Sequence, residues 1–156
     1  MADLKTLTEE MEKLNQQIKV VLAVSEYREL DDLSGLDGYD KIKSADELQQ
    51  IEEYRRILQK LDEINSAFEY FERPIIEVSR IYTNELGRYE TDGGYCYTSG
   101  SSIEFLREDE IYNKDTDKME QVEVWTTSRV ESQNGQYYIV GYSDLEMSGL
   151  KVRRRR

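Results

Sequence analysis

The sequence predicts an α+β protein: an N-terminal antiparallel helical hairpin over residues 1–74, then a small antiparallel β-barrel of SH3-like type over residues 75–156. Three observations predict it. Before Pro74, the only proline, apolar residues recur at steps of three and four. After it they recur at steps of two. Glycine and Asn-Gly turns then divide that second half into five or six short runs.

Leu4, Leu7, Met11, Leu14, Ile18 and Val21 form the seam of a helical hairpin or coiled coil. Thr6 with Glu9 fits a capping box, and a start near Asp3 is the alternative. The helix is expected to fade after Leu30, where "DDLSGLDGYDKIK" brings two glycines and four aspartates. Leu33, Leu36, Tyr39 and Ile42 are expected to pin this connection onto the helices. Ser44 with Glu47 caps a second helix, whose stripe is Leu48, Ile51, Leu58, Leu61, Ile64, Phe68 and Phe71. Pro74 stops it, because proline lacks an N–H and biases Arg73 away from helix.

The second half starts with a strand in "IIEVSRIYT". "GRYETDGGYCYTSG" reads as a hairpin with a glycine turn. "SIEFLRE" and "VEVWTTSRVES" are the next strands, and Asn134–Gly135 turns the chain into "QYYIVGY". "GLKVR" closes the set. Short strands joined by short turns favour a small barrel.

Net charge is −12, from 33 acids against 21 bases. Such a surface repels nucleic acid and anionic membranes and attracts basic partners. Cys96 is the only cysteine, which excludes an internal disulfide and a cysteine-rich zinc site. The chain has no histidine, so the usual general base and commonest metal ligand are missing. No apolar run reaches membrane-span length, and a reducing bacterial cytoplasm is the expected setting.

Chemistry-bearing constellations are weak. Glu108, Asp109, Glu110, Asp115 and Asp117 cluster around one loop, but that loop lacks the glycine and terminal acid of a calcium-binding hand. A solvated hairpin tip explains them as well. Ser99, Ser101 and Ser102 have no histidine to activate them. Trp125 with Tyr95, Tyr97, Tyr137, Tyr138 and Tyr142 suits an aromatic groove for peptides, or ordinary packing. The run Arg153–Arg156 reads as a trailing basic terminus.

The order "LGRYE…YTSGSSIEFL…W…SRVE…NGQYYIV…GLKVR" carries Gly87, Arg88, Tyr89, Ser99, Gly100, Ile103, Glu104, Trp125, Val130, Tyr137, Tyr138, Gly149, Leu150 and Arg153. Over this second half the chain resembles a small uncharacterised family of phages and conjugative elements of Gram-positive bacteria. That resemblance implies a helical N-terminal region with a compact β domain, and no chemistry. "REDEIYNKDTDKMEQVEV" departs from it by lengthening one hairpin. By analogy, small acidic proteins of such elements are similar to anti-defence proteins, including inhibitors of CRISPR nucleases.

The expectation is therefore a non-enzymatic interaction protein without catalytic, cofactor or metal residues. Its expected partner is a protein with a basic surface, such as a CRISPR nuclease or another nucleic-acid-handling effector, with no direct contact to nucleic acid or membrane. The candidate contact residues are Asp92, Tyr95, Tyr97, Glu108, Asp109, Glu110, Asp115, Asp117 and Glu120. The rival expectation is an SH3-like adaptor using the aromatic groove.

Overall fold

Helix α1 spans Leu4–Ser25, and Asp3 is its cap: the carboxylate accepts the Thr6 amide at 2.7 Å. Asp3 rather than Thr6 takes this role because its extended backbone leaves its side chain beside that orphan N–H. The computed structural model describes residues 3–28, 33–42 and 44–156, which divide into two compact units, Met1–Glu72 and Arg73–Arg156. α1 stops at Ser25, where Glu26 turns left-handed (φ 52°), short of the expected end near Leu30, which lies outside the described residues.

Helix α2 spans Ala45–Glu72, with the Ser44 hydroxyl accepting the Glu47 amide at 3.4 Å. It ends just before Pro74, as the missing N–H requires. Asn15 Nδ2 donates to Glu72 Oε1 at 3.0 Å, so the middle of α1 lies level with the last residue of α2. Leu22, from the other end of α1, and Tyr27, just past it, pack around Leu33, Ile51 and Leu58. The helices therefore run antiparallel. Leu33, Tyr39 and Ile42 hold the connection as expected, while Leu36 is exposed.

The expected seam is buried only at Ile18. Leu4, Leu7, Met11, Leu14 and Val21 are exposed. Because α2 ends level with Asn15, the first three turns of α1 run past it and find no α2 turn to face.

In the second unit, β1 (Ile75–Arg80), β7 (Lys151–Arg155), β4 (Ser102–Asn113), β5 (Lys118–Gln133) and β6 (Gln136–Ile139) form one antiparallel sheet in that order. β2 (Tyr82–Thr83) and β3 (Tyr89–Glu90) make a separate two-stranded ribbon. The expected barrel is not closed. β1 and β6 are the two edges of an open sheet, and the segments 91–101 and 140–150 form turns rather than closing strands.

Those turns cover the sheet instead. Ile81, Tyr97 and Met147 come from outside the main sheet and close over Ile103, Phe105, Val130, Ile139 and Val152 to make the core. The Asn134–Gly135 turn has positive φ at both residues (53° and 77°) with Gln133 opposite Gln136, the two-residue hairpin its sequence predicts.

The run Arg153–Arg156 is not a trailing tail. Its first three arginines belong to β7, inside the sheet between β1 and β4. Arg153 and Arg155 both bond the buried Glu104, while Arg154, on the other face, bonds Glu77 at 2.9 Å and lies 3.8 Å from the Tyr95 ring centre. Paired carboxylates let a sheet accept charges that are costly to bury alone.

Candidate functional site: the acidic β4–β5 ribbon

β4 pairs with β7 only at Glu104 and Phe105, and β5 pairs with β6 only from Val130 onward. Between those limits, residues 107–113 and 118–124 pair with each other alone. The long hairpin thus runs on as a two-stranded ribbon of about 24 Å at the usual rise per residue. None of its residues is buried. It holds seven acids and three bases.

Register sorts these side chains onto two faces. Glu108 stands opposite Glu123, Glu110 opposite Gln121, and Tyr112 opposite Met119, all on one face. Asp109 opposite Val122 and Ile111 opposite Glu120 lie on the other. On the second face Arg107 sits 2.7 Å from Asp109, and that hydrogen bond holds the Asp109 carboxyl below the usual carboxylate range. Glu110 accepts Gln121 Nε2 at 2.6 Å.

The tip is tied internally. Asn113 Oδ1 accepts the amides of Asp115 and Thr116, and Glu120 accepts Asn113 Nδ2 at 2.8 Å. The Tyr112 hydroxyl donates to Asp117, and that bond pushes the phenol's pKa up. Asp117 is left-handed (φ 55°), which closes the turn.

The structure therefore gathers Glu108, Asp109, Glu110, Asp115, Asp117 and Glu120 onto one appendage. Asp92 is elsewhere, exposed in the turn Thr91–Gly94, next to Gly93, whose amide donates to Glu77. Tyr97 is 1% exposed in the core, and Tyr95 is half-buried, edge-on to Tyr97 at 5.0 Å and under Arg154. Neither ring stands beside the ribbon's acids as an anchor.

The aromatic groove is dispersed in the same way. Tyr95, Tyr97, Tyr137 and Tyr142 belong to the core or pack against it. Trp125 lies on the opposite face, with Arg153 stacked 4.5 Å above its ring. Sequence reasoning missed Glu123 and the exposed Ile111, Tyr112 and Met119 on the ribbon. Glu123 shares strand parity with Trp125, but its facing residue follows only from the register. Among the described residues no three acidic or thiol side chains converge to hold a metal ion, and no helix is long and apolar enough to cross a membrane.

Residues 78–154, just under half of the chain, match a family described as a domain of unknown function (DUF5348). The match runs from within β1 to within β7, so the chain is similar to that family over the sheet and its ribbon. No curated protein and no solved structure matches the chain.

Proposed function

We propose that this chain is a non-enzymatic inhibitor of the anti-defence type, carried by a phage or mobile element. In this reading the ribbon presents carboxylates to the basic channel of a nucleic-acid-handling effector such as a CRISPR nuclease. The observation that carries it is the Glu108–Glu123 pair. Two like charges stand directly opposite across antiparallel strands, an arrangement that costs stability, and neither has an ion-pair partner among the described residues. A sheet built only to fold would place a cation at one of these positions. Carboxylates at every second residue, Glu108 and Glu110, form a regular negative row about 6.8 Å apart, which suits cations arrayed along a phosphate track.

The test is inhibition of DNA cleavage by a CRISPR nuclease loaded with its guide, with binding measured at low and high salt. Charge mimicry predicts binding that weakens steeply with salt and competes with the nucleic acid. Reversing Glu108, Glu110 and Glu120 to lysine should abolish it without unfolding the protein. Binding that survives both the reversal and high salt would overturn the reading.

A further inference from the structure

We propose that the tip of the ribbon receives an arginine side chain of the basic partner, laid flat on the Tyr112 ring between the Glu110 and Asp117 carboxylates. This rests on the ribbon being the contact site, and it names one contact within it.

The chain itself holds arginines in this way. Three of them lie over an aromatic ring, and each also bonds a carboxylate. Arg107 is 5.4 Å from the Tyr142 ring centre and 2.7 Å from Asp109. Arg153 is 4.5 Å from the Trp125 ring centre and bonds Glu104. Arg154 is 3.8 Å from the Tyr95 ring centre and 2.9 Å from Glu77. Among the described residues no lysine makes such a contact. A guanidinium is flat and weakly hydrated, so it can stack on a ring while its edge forks to a carboxylate. An ammonium is a strongly hydrated point charge and gains less from the ring.

Tyr112 brings together the same two parts, and no cation of this chain lies over it among the described residues. Its hydroxyl donates to Asp117, which fixes the ring and sets one carboxylate at its edge. Glu110 stands two residues back on the same face of β4, about 6.8 Å away. One Asp117 oxygen accepts Tyr112 and one Glu110 oxygen accepts Gln121, so each carboxylate has a second oxygen for a guanidinium N–H. Met119, directly opposite Tyr112, offers an apolar surface to the arginine's carbon stem. Packing of Tyr112 on Met119 does not explain the pair by itself: they are 55% and 56% exposed, well away from the core. Charge selects the occupant, because the ribbon holds seven acids against three bases and draws cations to its tip.

Titration of the full chain with a blocked four-arginine peptide and its four-lysine counterpart, followed by NMR at the Tyr112 and Met119 amides, tests this. Carboxylates alone would bind the two equally. A ring site should bind the arginine peptide about two- to fivefold tighter. Tyr112→Leu should remove that preference, and Tyr112→Phe, which keeps the ring, should retain most of it. Equal binding of the two peptides to the wild-type chain, or a preference that survives Tyr112→Leu, overturns the arginine site and leaves the charged ribbon standing. Failure of both peptides to bind at low salt overturns both readings. Should leucine loosen the hairpin, the wild-type chain decides: nuclear Overhauser contacts must join the Tyr112 ring to the peptide's arginine methylenes, and their absence overturns the proposal.

Discussion

Glu104 Oε1 accepts the Arg155 Nε–H at 2.6 Å inside the sheet, while Arg153 bonds the other carboxylate oxygen. The Glu104 side chain is 2% exposed and that of Arg155 is 8%. A carboxylate this far from water is tolerated only while its cations stay in place. Removing one member leaves the other charge buried, so Glu104→Ala and Arg155→Ala should each cost about 3–5 kcal/mol. Arg129→Ala, on the exposed Arg129–Glu131 pair, should stay within about 0.5 kcal/mol. Guanidinium melts check this, and a loss under about 1 kcal/mol at Glu104 would refute it.

That pair also shows where sequence reading reaches its limit. Four successive arginines argue for a solvated tail until one knows that Glu104, about fifty residues earlier, lies beside them in the next strand. Local signals were legible: Pro74 separates helix from strand, Ser44 starts α2, and Asn134–Gly135 closes a hairpin. Each acts within a few residues. The α1 seam was legible as apolar, but a heptad pattern says what seeks cover, not which turn of α2 is opposite. Tyr97 and Tyr112 both sit in alternating runs, and only tertiary register makes one core and the other a ribbon surface. Barrel closure failed for the same reason, since it depends on whether β1 meets β6.

The Asn134–Gly135 turn requires left-handed backbone at both positions. Valine is strained there, whatever the open space around Gly135. Gly135→Val should cost about 1–2 kcal/mol and lower the melting temperature by several degrees. Far-ultraviolet helical signal before the transition should not change. An unaltered melting curve would contradict the hairpin.

Glu77 gives the fold an acid-sensitive contact. Burial raises its pKa, but hydrogen bonds from Thr91, the Gly93 amide and Arg154 outweigh that and hold it below the ordinary glutamate value. The unfolded chain therefore takes up this proton first as pH falls. Stability from Glu77 is full above the unfolded value, about 4.3, and is lost as pH drops through the lower folded one. Denaturant melts should thus show wild type losing its advantage over Glu77→Gln in that acidic window. Two parallel curves from pH 7 to pH 3 would rule this contact out as the cause.

The Glu108–Glu123 pair allows stability and binding to be set against each other. If the pair is retained for a partner, replacing one member with a cation should help the fold while harming the function. Glu123→Lys places an ammonium opposite Glu108 on the same ribbon face, turning a cross-strand repulsion into an attraction. The melting temperature should rise slightly, because the ribbon is exposed and the gain from one surface pair is small. Effector binding should fall, and should fall further with Glu108→Lys added. That second change restores a like-charge pair, now positive, and so removes the stability gain. Stability and affinity moving in opposite directions for Glu123→Lys would mark the acids as functional. An affinity unchanged in both variants would leave them as solvated surface and refute the ribbon as the contact site.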